Sequence, residues 1–195
     1  MYKNDHSSLL HFNSAKIYID GILDLDTALL LKPYDELVDP NYPSGFSYFK
    51  TDQLNDDVEQ LSRMGYRAHF HVIGDKAVRL VLDSIEALSL GAPQARDAAH
   101  RTSHTYMVNR ADMPRFAELG VVADMQVGKV STDLLYHDDL YEIIGEPAYE
   151  LLPVPDMLEA GATVSLSSDW NADPLSPLGT IQRSMLRESH ALFDL

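Results

Sequence analysis

The chain has 195 residues, of which 45% are hydrophobic and 23% charged, a composition that is ordinary for one soluble globular domain. Its formal net charge of −15 argues against nucleic acid and anionic membrane surfaces as partners, and no apolar run reaches the roughly 18 residues that would cross a bilayer. The lack of cysteine excludes disulfides, thiolate metal ligands and cysteine nucleophiles, and it predicts a reducing, cytoplasmic location.

The first half of the chain alternates β-rich and helical segments. The predicted elements, in chain order, are a strand over 15–20, a loop over 23–51, a helix over 53–63, a strand over 67–73 and a helix over 76–88. Asp52 and Asp75 precede the two helices and are predicted to cap them. Val58 and Leu61 are predicted to face inward from the first helix.

The second half continues the same alternation. The predicted elements are a strand over 99–104, a helix over 110–119, a strand over 121–126, a loop over 129–136, a short helix over 156–160 and a strand over 162–167. Gly120 and Gly161 follow the two helices, and glycine is a usual signal for a helix end. The two long loops follow strand ends, where active-site loops gather in α/β barrels.

Strands that alternate with helices predict an α/β fold, with parallel strands joined by crossover helices. Five such units are fewer than the eight of a closed barrel, so an open doubly wound sheet is a second candidate. No glycine-rich phosphate loop follows any predicted strand, which leaves a nucleotide-binding site with little support.

Polar side chains lie at the ends of the predicted strands or, for Lys16, inside the first one. They are Lys16, His69, His71, His104 and Asp169. Each has an ordinary explanation by itself, such as a structural hydrogen bond, a turn cap or a lysine head that reaches solvent. Together, in a parallel α/β fold, they would meet at the carboxyl ends of the strands. Imidazole and carboxylate ligands suit zinc, iron, nickel or manganese, so the pattern predicts a metal site.

Several phrases, in this order, resemble one known family. They are AKIYIDG at 15–21, TALLLKPY at 27–34, HVIGDKAV at 71–78, RTSHTYMV at 101–108, RFAELGVVADMQ at 115–126 and MLEAGATVSLSSDWNADPLSPLGTIQ at 157–182. The sequence resembles the amidohydrolase superfamily of TIM barrels, and within it the amidohydrolase-3 branch of N-substituted formamide deformylase-like proteins. The resemblance covers residues 15–187 of one domain and leaves 1–14 as a leader segment.

The resemblance implies a role for each polar residue. Lys16 takes the place of a bridging lysine, which CO₂ can carbamylate, on the fourth barrel strand. His71 and His104 take the places of metal ligands on the fifth and sixth strands, which makes His69 a neighbour. Asp169 takes the place of the aspartate that follows the eighth strand, binds metal and shuttles the proton. The predicted fold is therefore a partial TIM-type barrel, strands four to eight.

The sequence departs from the family pattern in two ways, and each departure leads to an expectation. The family's first strand has a His-x-His metal pair, whereas the single such pair here, His69 and His71, falls on the fifth strand. Ser103 stands where the family usually has an acidic residue. We therefore expect a fragment, a truncated product or a domain that another chain completes, and at most one weakly bound divalent ion. Open strand edges predict a homo-oligomer or a complementing chain.

The resemblance implies a hydrolase of carbon–nitrogen bonds in non-peptide amides or formamides. The implied cofactor is a divalent metal, zinc by expectation, with one or two ions in the complete site. The expected partner is a small amide-like substrate, and residues Tyr136, His137, Tyr141 and Trp170 are candidates for contact with it. Two alternatives stay open: a non-catalytic remnant, and an assembly module that needs a partner chain for the missing ligands.

Overall fold

The computed structural model describes residues 12–36, 39–91, 99–128 and 138–186, without the side chains of residues 91, 138, 139 and 149. The strands of the described part are β1 (Ser14–Tyr18), β2 (Arg67–Val72), β3 (Arg101–His104), β4 (Val122–Gln126) and β5 (Thr163–Ser167). The α-helices of the same part are α1 (Thr51–Arg63), α2 (Asp75–Gly91), α3 (Met113–Leu119), α4 (Asp138–Ile144), α5 (Val154–Glu159) and α6 (Pro177–Leu186). Short 3₁₀ turns lie at Leu23–Leu25 and Glu146–Glu150.

The five strands form one parallel sheet in the order β1-β2-β3-β4-β5. A doubly wound sheet reverses its strand order part of the way across, whereas a barrel adds each new strand on the same side. The doubly wound alternative is therefore wrong, and the order agrees with a partial TIM-type barrel. Within the described residues, β1 and β5 each pair along one edge only.

The two faces of the sheet differ in chemistry. Ala68, Phe70 and Val72 alternate along β2 with 0% exposure and pack in the core beneath the helices. Residues that pair in parallel strands point to the same side, so the register sets a second, polar row on the opposite face. That row consists of Tyr18, His71, Ser103, Asp124 and Ser165. The polar face is the one that can carry chemistry.

The helix starts differ in detail from the prediction. Helix α1 begins at Thr51 after Lys50, with no side-chain cap, so the predicted Asp52 cap is wrong. Asp52 lies instead in the first turn, where a carboxylate still favours the positive end of the helix dipole. Asp75 is the first residue of α2, and its Oδ1 accepts a hydrogen bond from the Leu31 N–H at 2.8 Å. That carboxylate therefore joins the long loop to the helix start.

Other sequence signals are confirmed. Val58 is fully buried and Leu61 packs against the core, as their helical spacing predicts. Gly120 ends α3 in the left-handed region, with φ of 66°. Helices α4 and α6 were not predicted, and the predicted loop 129–136 lies outside the described residues. None of the described helices is long and apolar enough to cross a membrane.

A network of charges joins α2 to α3. Asp112 is 3% exposed and accepts hydrogen bonds from Arg79 Nε at 2.9 Å and from Arg115 Nη1 at 2.9 Å. Arg115 Nη2 also reaches Asp83 and Glu86, each at 2.7 Å. The Asp112 carboxylate is shielded from water and shared by two guanidinium groups. Its removal would therefore take a charged hydrogen-bond acceptor from both Arg79 and Arg115.

Asp112→Ala is expected to lower the free energy of unfolding by about 3 kcal/mol, because it breaks a buried ionic network from one side. The measurement is urea unfolding followed by circular dichroism. Arg63→Ala is the control, since it breaks an exposed pair with Glu59 at 2.7 Å; it should change stability by less than about 0.5 kcal/mol. Equal effects of the two substitutions would contradict a stabilising role for the α2–α3 network.

Candidate metal centre

Lys16, His71 and His104 come together on the polar side of the sheet; these three residues are called the candidate centre. Lys16 lies in the middle of β1, one row below His71, and its long side chain extends toward the carboxyl ends of the strands. The Lys16 Nζ donates a hydrogen bond to Ser103 Oγ, which in turn donates to the Phe70 carbonyl at 3.2 Å. Ser103, where the family usually has an acid, therefore holds the lysine head.

His71 presents one unused nitrogen. Its Nε2 lies 3.1 Å from the Gly21 carbonyl oxygen. A carbonyl can only accept, so Nε2 carries the proton and Nδ1 keeps its lone pair. That Nδ1 is buried and has no hydrogen-bond partner. The ring also stacks on Tyr18, with centroids 4.5 Å apart and planes inclined by 25°. A buried lone pair on a fixed ring is an arrangement that a metal ion would satisfy.

His104 reaches the centre through its backbone conformation. It pairs in register with Val72, whose side chain faces the helices, so simple alternation would turn His104 away from the site. At His104 the φ angle is 71° and at Thr105 it is 52°, both in the left-handed region. The turn brings the imidazole to 4.4 Å from that of His71, centroid to centroid. Backbone strain of this kind collects at functional sites.

Both imidazoles are neutral near pH 7. Burial is the main cause that lowers the pKa of His104 to about 3, and His71, Lys16 and His69 add to the effect. Burial also lowers the pKa of His71, against the opposing hydrogen bond to Gly21. A neutral imidazole has the lone pair that a metal requires. Both rings are therefore already in the neutral form that binds a metal, so binding requires no deprotonation.

The charge on Lys16 is disfavoured by its surroundings. Burial lowers the pKa of its amine, whereas Asp169 and Asp124 raise it and Arg101 lowers it further. A lower pKa means that more of the amine is neutral at a given pH. The neutral amine is the form that reacts with CO₂.

His69 lies lower on the same face. It pairs in register with Lys16, and its Nε2 is 4.0 Å from Asp124 Oδ2, without a hydrogen bond. Burial lowers the pKa of His69 to about 4, helped by Lys16 and Arg101. Asp124 Oδ1 accepts a hydrogen bond from Ser165 at 2.9 Å. The prediction that His69 is a neighbour and not a ligand stays a prediction.

Asp169 is exposed and follows β5 with φ of 48°. Its charge raises the pKa of both Lys16 and His71, but among the described residues Asp169 is not grouped with the two imidazoles closely enough for the three to hold a metal ion. Among the candidates for substrate contact, Trp170 is exposed and Tyr141 lies exposed on α4. Tyr136 and His137 fall outside the described residues.

The donors of the candidate centre fit a divalent metal in type. Two neutral imidazoles, one with an orphaned Nδ1, lie beside a lysine that becomes a carboxylate if carbamylated. Across the ranges that the structure describes, no three His, Asp or Glu side chains are grouped closely enough to hold a metal ion. The fit therefore depends on Lys16 as the third donor.

Two residues of structural importance were not singled out by the sequence analysis. Tyr18 stacks on His71, and its place two residues after Lys16 on one strand is a signal that could have shown a shared face. Asp20 is fully buried and accepts hydrogen bonds from the backbone N–H groups of Leu29, Ile73 and Gly74. No local pattern shows such a long-range anchor.

Comparison with known proteins gives one family match and several relatives. A model of the amidohydrolase family matches residues 2–192. Protein LONG AFTER FAR-RED 3 of Arabidopsis thaliana is 27% identical over 183 residues, which are 93% of this chain and 30% of that protein. The N-substituted formamide deformylase of Arthrobacter pascens is 26% identical over 149 residues, which are 75% of this chain and 27% of that protein.

A solved structure supports the fold. An uncharacterized metal-dependent hydrolase from Pyrococcus horikoshii OT3 superposes with a TM-score of 0.74 at 26% identity, covering 90% of this chain and 33% of that one. The chain thus spans a third or less of the length of these relatives. The predicted fold class, an α/β partial barrel, is confirmed. The domain limits at 14/15 and 187/188 stay predictions.

Proposed function

The chain belongs to the amidohydrolase family, and on that premise we propose that it carries part of a metal-dependent active site. The proposed reaction is hydrolysis of carbon–nitrogen bonds in non-peptide amides, with formamide-like compounds as the substrate class. Relatives that are named a formamide deformylase and a metal-dependent hydrolase support this choice. Because the chain has no cysteine, we also propose a cytoplasmic location.

The observation that carries the proposal is the buried, unpartnered Nδ1 of His71 beside the neutral ring of His104. A structural histidine in a core normally satisfies both ring nitrogens. Here one nitrogen is fixed by Gly21 and the other is buried without a partner, in a ring whose centroid lies 4.4 Å from that of His104. A buried ring nitrogen without a partner costs free energy unless another group, such as a metal ion, satisfies it.

We propose zinc as the metal, held by His71, His104 and a carbamylated Lys16, with Asp169 beside them. When bound, a divalent ion makes hydroxide available near neutral pH and polarises a carbonyl group. Carbamylation would replace the ammonium of Lys16 by a carboxylate and so would remove the cost of burying a positive charge. Ser103 would then hold the head of that side chain, as it holds the amine now.

Residues of this chain would orient the His71 ring and carry the proton of the attacking water. The Gly21 carbonyl fixes the tautomer of His71, and the Tyr18 ring fixes its plane. The exposed Asp169 carboxylate can accept a proton from the attacking water and return it to the leaving amine. Its exposure to solvent suits a group that exchanges protons with substrate and water.

One observation favours the alternative, a non-catalytic remnant or an assembly module. In the part of the chain that is described, the imidazoles of His71 and His104 have no third His, Asp or Glu ligand grouped with them. A module of this kind would acquire its further ligands from a partner chain. The two proposals differ in whether amide turnover depends on Asp169.

Asp169→Asn tests the proposed function. It is expected to lower kcat for a simple formanilide by about 100-fold or more, because a carboxamide cannot take up the proton at neutral pH. Steady-state kinetics on the zinc-loaded protein measure the effect, with metal content determined in parallel. Asp56→Asn, the same change at an exposed position of α1, is the control and should keep full kcat. Unchanged turnover in Asp169→Asn would remove its proposed role.

A further inference from the structure

An open groove of about 430 Å³ lies directly beside the candidate centre. Its lining consists of Lys16, Ile17, Tyr18, Tyr48 and Phe49, and we call it the aromatic groove. Its volume falls within the range of about 300–1,000 Å³ that is typical of small-molecule sites. Lys16 is the one charged residue of the lining, and no carboxylate takes part.

Two sets of aromatic contacts involve rings of the groove. Tyr18 stacks on His71, and the Lys16 Nζ lies 5.7 Å from the Tyr18 ring centroid. Farther out, Phe46 meets Tyr48 edge-on, with centroids 5.2 Å apart. Tyr18 is 56% exposed and Tyr48 59% exposed, although both are large rings. Exposed aromatic surface that continues into a site is typical of ligand recognition.

The outer part of the groove is held in place by the backbone. The Tyr48 N–H donates a hydrogen bond to the Ile19 carbonyl at 2.9 Å, just beyond the end of β1. The Phe49 N–H donates to Ser47 Oγ at 3.1 Å, and the Phe49 ring packs against the hydrophobic core. The backbone at Tyr48 is therefore held against the chain just beyond β1, which lowers the loop entropy that would be lost on binding.

We propose that the aromatic groove binds an aryl substituent of the amide substrate, so that the preferred substrates are aryl amides. This inference rests on the proposed function, because it assigns the amide itself to the candidate centre. The flat, apolar rings of Tyr18, Tyr48 and Phe49 offer stacked and edge-on contacts to another ring.

The test compares benzamide with acetamide, which share the carboxamide and differ by the phenyl ring. Ligand-observed NMR titration of the 195-residue chain is expected to give a Kd for benzamide at least about tenfold lower than for acetamide. Tyr48→Ala should weaken benzamide binding by about tenfold and leave acetamide unchanged, whereas Tyr48→Phe keeps the ring and should bind as the parent does. Leu90→Ala, at an exposed position of α2, is the control for a truncation elsewhere.

Zinc uptake by the same variants separates this inference from the proposed function. Tyr48→Ala should take up zinc as the parent chain does, because Tyr48 lies outside the candidate centre. Benzamide selectivity without any zinc uptake would support the aromatic groove and count against the proposed function. Equal affinity for benzamide and acetamide, or an unchanged benzamide Kd in a folded Tyr48→Ala, would overturn the aryl proposal whatever the zinc result.

Discussion

His71→Asn is expected to weaken zinc binding by about 100-fold or more, whereas His69→Asn should leave the affinity within about threefold. Both histidines lie on the same strand and the same face, two residues apart. The difference follows from their surroundings. His71 has a buried, unpartnered Nδ1, a ring centroid 4.4 Å from that of His104, and a carbonyl that fixes its tautomer.

The surroundings of His69 differ from those of His71. Its Nε2 is also buried without a hydrogen bond, but His69 lies one row lower in the sheet than His71, and its Nε2 is 4.0 Å from Asp124 Oδ2. Isothermal titration calorimetry with zinc measures both variants, and circular dichroism checks that each is folded. Equal losses would show that the His-x-His pair acts as one chelate. A loss confined to His69→Asn would reverse the ligand assignment.

Asp20→Ala is expected to lower the free energy of unfolding by about 4 kcal/mol, the largest effect on stability that we expect from one side chain. The Asp20 Oδ2 accepts from Leu29 N–H and Gly74 N–H, each at 2.9 Å, and its Oδ1 accepts from Ile73 N–H at 3.0 Å. With alanine, three buried donors lose their acceptor. Each unsatisfied buried donor costs about 1–3 kcal/mol, and the chain relaxes only in part.

The same anchor fixes the entry to α2. The Leu29 carbonyl accepts hydrogen bonds from Lys76 N–H and Ala77 N–H, both at 3.2 Å, at the start of the helix. A Cβ at Gly74 would overlap that carbonyl, so glycine is required there by close approach. Asp20 therefore holds the loop after β1 against the junction of β2 and α2. His71 and its partner Gly21 lie on the two sides of this joint.

Urea unfolding ranks Asp20→Ala, Asp20→Asn and the control Asp24→Ala by their free energies of unfolding. Asp24 is exposed and should change stability by less than about 0.5 kcal/mol. Asn can keep two of the three hydrogen bonds through its carbonyl oxygen, so it should lie between the parent and Asp20→Ala. If Asp20→Ala is as stable as Asp24→Ala, the anchor role is wrong.

The contribution of Asp20 to the free energy of unfolding depends on pH in a defined direction. Burial raises the pKa of Asp20 from 3.8 to about 7, against the opposing backbone hydrogen bonds of Gly74, Leu29 and Ile73. Between these two values the folded chain binds a proton that the unfolded chain does not. The stability of the parent relative to Asp20→Asn should therefore fall as the pH rises from about 4 to about 7.

Local sequence signals predict the parallel sheet well, because each strand is a short β-rich run beside a helix with regular apolar spacing. All five predicted strands lie within two residues of the observed ones at each end. The ends of helices are predicted less well. Asp52 lies inside α1 because the helix begins at Thr51, two residues earlier than predicted, and such helix limits are not decided by the cap residue alone.

The candidate centre shows the limit of pattern-based prediction more clearly. Strand alternation puts His69 and His71 on one face, but it gives no preference between them. It also turns His104 toward the helices, and the left-handed backbone at His104 and Thr105 is what reverses this. Such positive φ values in residues other than glycine depend on the surrounding structure and cannot be derived from local propensity.

Anomalous diffraction from crystals of the chain grown with zinc tests the central claim most directly. We predict one zinc peak per chain, at about 2.0–2.1 Å from His71 Nδ1 and from an imidazole nitrogen of His104, with the Lys16 side chain as the third ligand. A peak bound by His69 in place of His71 would contradict the ligand assignment. Zinc found only at surface carboxylates, with the two imidazoles of the candidate centre unliganded, would contradict the metal centre itself.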